Sequence, residues 1–268
     1  MRYIPVHELT AQLFSEPDGA RHRVRLFQSH LSLVAMSPAE RQRYIRTNGR
    51  SKWSQVKNWL TDRLGKKCWY TEVELVGAPL AIDHFRPVCD YWWLAFETAN
   101  YRVACAFANS PEHNKLHGCA GGKGDVFPLL GPGLRAKGRN KLKYEKPVIL
   151  DPCDKADCDL IAFQADGRPV LNPAHAADAI AQRRVEESKI LLNLDHPDFN
   201  SKREQLCNEI AHDVQMYEES AERAEARSII RTRLKERIEA RAPFSSAAKY
   251  YLRLHRHLDW VEALFAEM

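Results

Sequence analysis

Five residues of this chain have the types and the spacing to act together on a phosphate. Asp83 and His84 are adjacent; fifteen residues separate His84 from Asn100, eight separate Asn100 from Asn109, and three separate Asn109 from His113. Asp and Asn oxygens are hard ligands suited to Mg²⁺ or Mn²⁺, with water and phosphate filling the other positions. A neutral imidazole, with an ordinary pKa of about 6.5, accepts a proton at neutral pH. A divalent cation beside a general base is the equipment of phosphodiester hydrolysis.

Short elements must bring these groups together. The segments LAIDHF and YRVACAF read as strands, so Asp83-His84 closes the first and Asn100 precedes the second. Asn109 and His113, four apart, would share one face of a following helix. Ser110-Pro111 interrupts that run and sets Asn109 just before a first helical turn.

The flanks read as helical. Ser37-Pro38 is a helix start, Trp53, Val56, Trp59, Leu60 and Leu64 recur at helical spacing, and Gly65 ends the run. Residues 201–242 carry a stripe at Leu206, Ile210, Val214 and Tyr217 that resumes after a slip at Ile230, Leu234 and Ile238. Unbroken, that helix would be roughly 60 Å long. Residues 245–265 predict a last helix. The expected class is α+β: a small ββα core in a mainly helical chain. Its organisation would be a basic helical region over 1–67, the core over 68–152 and a helical, partner-binding region over 153–268.

The chain has 268 residues, 44% hydrophobic and 28% charged, an ordinary globular composition. Its net charge of +5 is unevenly placed: residues 1–67 hold 13 Lys/Arg against 5 Asp/Glu, and residues 151–268 hold 17 against 22. A basic front suits a polyanion and an acidic, striped back suits a protein partner, although solvated helix faces would look alike. A second basic stretch, RAKGRNKLKYEK over 135–146, follows Gly131-Pro132-Gly133 and reads as an exposed loop or edge hairpin within reach of phosphates. Gly121-Gly122-Lys123-Gly124 lacks the spacing of a phosphate-binding P-loop. The start of the chain has no apolar run of the signal-peptide kind, and seven irregularly spaced cysteines argue against a disulfide framework, so a cytoplasmic protein free of membrane segments is expected.

The D-H…N…N…H pattern resembles the HNH, or ββα-metal, nucleases. In that resemblance His84 takes the place of the general base and Asp83 that of the first metal ligand. Asn100 takes that of the asparagine bracing the inter-strand loop, Asn109 that of the ligand at the helix, and His113 that of the last histidine. KCWYTEVEL, IDHFRPV, YWWLAFETANYRVAC, GKGDVFPL, ILDPCD and RRVEESKILLNL resemble, in order, the HNH subunit of Septu-type anti-phage defence systems, the PtuB group, across about residues 66–195. Members of that group work beside an SMC-like ATPase, PtuA. Many relatives carry two CxxC pairs that bind a structural zinc. Here Cys68 and Cys105 each keep only half of a pair, with Thr71 and Ala108 at the other positions. Two thiolates leave zinc undercoordinated, so no structural zinc is expected, and Trp69, Trp92, Trp93 and Phe96 would supply packing instead.

The resemblance implies a Mg²⁺- or Mn²⁺-dependent endonuclease acting on double-stranded DNA with a PtuA-like ATPase. Arg86, Lys115, Lys123, Arg135, Lys137 and Arg139 are the expected phosphate contacts, though Arg86 could equally be a loop salt bridge and the lysines solvated. Two alternatives stay open: a stand-alone restriction-like or retron-associated nuclease, and a catalytically silent nucleic-acid-binding scaffold.

Overall fold

A computed structural model describes residues 1–131 and 135–267; Pro132 and Gly133 of the Gly-Pro-Gly run lie outside the described residues. Three helices open the chain: α1 (Val6–Ser15), α2 (Pro17–Val34) and α3 (Pro38–Leu64). Ser37 and Glu40 close a capping box at the start of α3, Pro38 occupies its first turn, and Gly65 ends it at φ +90°. The elbow between α1 and α2 turns over Gly19, where a Cβ would stand 1.7 Å from the Leu13 carbonyl oxygen; only glycine permits that approach.

The centre holds an antiparallel pair, β1 (Ala81–His84) and β2 (Tyr101–Ala104), with Asp83 opposite Arg102 and His84 opposite Tyr101. The one-turn helix α4 (Ala106–Asn109) follows at once. A second hairpin comes next, β3 (Glu112–Asn114) with β4 (Cys119–Gly121). Then come α5 (Lys155–Asp159), the hairpin β5 (Ile161–Phe163) with β6 (Pro169–Leu171), and five helices: α6 (Ala179–Leu191), α7 (Pro197–Glu219), α8 (Ala224–Ile238), α9 (Ser245–Arg253) and α10 (Asp259–Ala266). The class is α+β and mostly helical.

The β1–β2 pair sits between two helical bodies. Ile82, Tyr101 and Val103 join a core with Leu26, Leu33, Val56 and Leu60 of α2 and α3. Tyr70, Ala104, Cys105 and Ala108 join a second core with Val185, Ile210, Leu234 and Leu252 of the C-terminal helices. Burying both faces of so small a hairpin lets two strands of four residues hold their register, which they would not do alone in water.

Three expectations need correction. The helix meant to carry both Asn109 and His113 stops at Asn109, because the residue before Pro111 is driven into extended backbone; Ser110 sits at φ −121°, ψ 155°. The single long helix over 201–242 is two, α7 and α8, folded back on each other at 220–223, where the apolar stripe slips. The last helix is likewise two, α9 and α10. The basic stretch takes the first of its two expected forms, an exposed loop, with residues 139–144 in a 3₁₀ turn.

Candidate active site

Neighbouring residues of a strand project to opposite sides, and β1 thereby separates Asp83 from His84. The His84 ring enters a box made by Trp53 of α3 and its cross-strand partner Tyr101, with centroids 4.7 and 5.2 Å away, both edge-on. Its Nε2 lies 2.9 Å from the Ala95 carbonyl oxygen. A carbonyl only accepts, so Nε2 carries the proton and Nδ1 is left with its lone pair. Nδ1 has no protein partner among the described residues and is not among their fully buried unpaired atoms; the residue keeps 9% of its surface. Burial pushes the imidazole below the ordinary histidine value. The Ala95 hydrogen bond and the charges of Asp83 and Asp125 act the other way, and Lys123 acts with burial. The ring is therefore neutral at pH 7, as a base must be.

Asp83 faces a different set. Its Oδ1 accepts from Lys123 Nζ at 2.8 Å and its Oδ2 from the Tyr70 hydroxyl at 2.6 Å. Lys123 is fully buried, and the same ammonium also donates to the carbonyls of His84 (2.7 Å) and Gly124 (3.2 Å). Burial and the Asp83 charge hold the Tyr70 hydroxyl well above its usual pKa, so it stays a donor. In kind, Asp83 and Asn109 suit a hard cation. In this arrangement they do not complete a divalent-metal centre, because both Asp83 oxygens are already engaged, one by the Lys123 ammonium and one by the Tyr70 hydroxyl. Among the described residues no group of three His, Cys, Asp or Glu side chains comes together as a metal cluster.

Asn100 closes the loop between the strands from both ends of its carboxamide. Its Oδ1 accepts from the Arg86 amide at 2.8 Å and its Nδ2 donates to the Arg86 carbonyl at 3.0 Å. Asn109 ends α4 half-buried, and its carboxamide has no hydrogen-bond partner among the described residues. Backbone bonds from Lys123 and Gly124 to the Ala108 and Asn109 carbonyls tie α4 to the segment that feeds Lys123 to Asp83. Asp83, Lys123 and the end of α4 at Asn109 are thus linked, while the His84 ring lies on the other face of β1.

Other expected site residues fall outside it. His113 is exposed on β3, in register with Ala120, so the shared helix face with Asn109 does not exist. Lys123, expected to meet phosphate, is buried against Asp83. Arg86 Nε donates to Glu145 at 2.8 Å, the loop salt bridge that the sequence left open. Arg135 pairs with Asp90 at 3.0 Å and Arg139 with Glu97. Lys115 and Lys137 are exposed and make no ion pair among the described residues. Cys68, Thr71, Cys105 and Ala108 do converge, all buried, with the Thr71 hydroxyl 3.9 Å from Cys105 Sγ. Tyr70, Val73 and Ala104 pack in the same core, whereas Trp69, Trp92 and Phe96 belong to the opposite one and Trp93 to a third cluster.

Sequence reasoning missed Tyr70, the Ala95 carbonyl and the inward role of Lys123. A signal for Lys123 was present. A lysine with glycine on both sides can be carried through a gap too narrow for side chains. At Gly122 (φ +96°) a Cβ would stand 1.8 Å from the Ser110 carbonyl oxygen.

No helix among the described residues is long and apolar enough to cross a membrane. No family model matches the chain. The chain is similar to the Septu protein PtuB of Bacillus mycoides (strain KBAB4), 27% identical over 126 residues, which cover 42% of this chain and 39% of that protein's length.

Proposed function

We propose that the chain is a nuclease subunit of an anti-phage defence system, hydrolysing phosphodiester bonds of double-stranded DNA with His84 as general base. The observation that carries this reading is the pose of His84. Its tautomer is set by the Ala95 carbonyl, its ring is wedged between Trp53 and Tyr101, and its Nδ1 has no protein partner among the described residues. A base held so rigidly takes a proton from an attacking water without reorganising, and the Ala95 carbonyl then steadies the imidazolium. The similarity to PtuB supports the defence setting, and the partner proposed with it is a PtuA-like ATPase.

Asp83 and Asn109 are the residues that would hold Mg²⁺ or Mn²⁺, whose chemistry when bound would be neutralisation of phosphate charge. That binding would require Asp83 to be released from Lys123, so the role of His84 is derived without it. A catalytically silent scaffold is the second reading. It draws on the closed Asp83–Lys123 pair and on the small exposed area of His84.

The test is nicking of supercoiled plasmid by the chain, alone and mixed with a PtuA-like ATPase, with Mg²⁺ or Mn²⁺ and with chelator. His84→Ala should lower the rate by about 10²–10⁴-fold while the complex still assembles. Equal nicking by that variant removes His84 from the chemistry, and no nicking by the intact complex under any of these conditions selects the scaffold.

A further inference from the structure

The 3₁₀ turn over 139–144 and its exit sort their side chains by charge. Leu142 and Glu145 are three apart, which puts them on one side of a turn with three residues per turn, and that side faces inward. Leu142 packs against the cluster of Phe85, Tyr91 and Phe127. The Glu145 side chain, the only acid of residues 135–146, is 2% exposed; it accepts from Arg86 Nε and the Tyr91 hydroxyl, both at 2.8 Å, and from the Ala136 amide at 2.6 Å. Lys141, Lys143 and Lys146 stay exposed and make no ion pair among the described residues. Tyr144 stands among them with 68% of its surface open, and the Lys141 and Lys143 ammoniums lie 5.7 and 5.1 Å from its ring centroid. Arg139 pairs with Glu97 at one end of the turn, and the Leu130 amide donates to the Lys146 carbonyl at the other. The outward side of this anchored turn is therefore one aromatic ring set among three unpaired cations.

We propose that this turn binds an unpaired stretch of a DNA strand, one base stacked on Tyr144 and the flanking phosphates on Lys141, Lys143 and Lys146. This rests on the nuclease reading above and narrows its substrate to DNA with single-stranded character. Charge and shape select the occupant together. Cations alone call for a polyanion. A lipid surface takes a row of apolar groups, and the turn offers one ring. A duplex presents phosphates but keeps its base faces stacked, and an acidic peptide meets the ammoniums but leaves the ring idle. An unpaired strand uses both, because every free base has a face to lay on an aromatic ring. Position supports the same occupant. Glu145, the neighbour of Tyr144, holds Arg86, which follows His84 by two residues and is gripped through its backbone by Asn100. Lys146, Arg86 and Asn100 border one cleft of about 800 Å³. A strand seated on the turn thus lies against the loop that carries the candidate base.

The test is fluorescence anisotropy of a labelled oligothymidylate titrated with the full chain in chelator, so that no cleavage enters the reading. The single strand should bind more tightly than a blunt duplex of equal length. Tyr144→Ala should weaken single-strand binding about 5- to 150-fold while leaving duplex binding and the melting temperature unchanged. Tyr144→Phe, which keeps the ring, should bind nearly as the parent does. Lys141→Gln and Lys143→Gln should each reduce the single-strand salt slope by about 0.7. An oligomer carrying 5-iodouracil should cross-link to Tyr144 on irradiation. Single-strand binding unchanged in Tyr144→Ala overturns the proposal, as does a preference for the duplex or a cross-link that maps only elsewhere. An oligouridylate bound more tightly than the oligothymidylate also overturns it and assigns the turn to RNA; displacement by polyglutamate at equal charge assigns it to an acidic protein. Because binding is read without cleavage, an unaffected Tyr144→Ala rejects the single-strand site alone, whereas parent-rate nicking by His84→Ala rejects the proposed chemistry alone.

Discussion

Lys123 reaches Asp83 across 2.8 Å from a position with no exposed surface, and its ammonium has no proton left over. The other two go to the carbonyls of His84 and Gly124. A buried charge is tolerated only when paired and hydrogen-bonded, and here both partners meet that condition, since Tyr70 satisfies the second Asp83 oxygen. Removing one partner alone strands the other. Lys123→Met should lower unfolding stability by about 3–5 kcal/mol in urea titrations. Lys123→Met combined with Asp83→Asn should recover much of that loss. A single variant as stable as the parent would show the pair to be solvated.

Asn100 acts through geometry. It joins the two strands by gripping the Arg86 amide and carbonyl at once. Asn100→Ala leaves two backbone groups without a partner, at about 1–3 kcal/mol per group that stays buried. Asn100→Asp keeps the acceptor toward the Arg86 amide and loses the donor toward its carbonyl, so it should fall between Ala and the parent. Denaturant unfolding orders the three, and Ala equal to the parent would mean that Arg86–Glu145 holds the loop by itself.

On the proposed function, the pH dependence of cleavage follows from the burial of His84. Its folded-state pKa lies below the ordinary value, so the neutral, base-competent form persists to lower pH than for an exposed histidine. The acid limb of the pH–rate profile should therefore lie below about 6.5. The linkage to stability has a definite sign. An unfolded chain binds a proton at a pH where the folded one does not, so stability is present above the unfolded pKa and falls as pH drops toward the folded value. His22, buried between α2 and α3 with both ring nitrogens unpaired among the described residues, is lowered by burial in the same way and adds to this slope. His22→Leu should flatten the loss of melting temperature between pH 7 and 5; an unchanged slope would place the effect elsewhere.

The strands and caps were legible because local rules decide them. Ser37, Pro38 and Glu40 start a helix anywhere, and LAIDHF and YRVACAF carry the apolar content of buried strands. Helix ends governed by long-range packing were not. The α7–α8 turn shows in sequence only as a slip in a stripe, and α4 is cut to one turn by Pro111. The spacing marked Asp83, His84, Asn100 and Asn109 as a group, but it could not reveal that β1 sends Asp83 and His84 to opposite faces. The same limit hid Lys123, because a basic residue in a glycine run looks solvated until the chain's path is known.

The proposed DNA binding offers a last separation between groups that sequence treated alike. Arg86, Lys123, Arg135 and Arg139 each have a carboxylate partner, whereas Lys115 and Lys137 are exposed without an ion pair among the described residues. A cation already paired must break that pair to take a phosphate, and a free one displaces only counterions. Lys115→Ala and Lys137→Ala should each weaken duplex binding across all sequences and reduce the slope of log affinity against log salt by about 0.9 for each phosphate no longer neutralised. Arg86→Ala should instead act on folding, because it leaves Glu145 bound only to Tyr91 and the Ala136 amide. Fluorescence anisotropy on a short labelled duplex at several salt concentrations, paired with a melting curve for each variant, distinguishes the two effects. A salt slope unmoved by both lysine changes would shift the DNA footprint onto Lys141, Lys143 and Lys146 of the 3₁₀ turn and its exit.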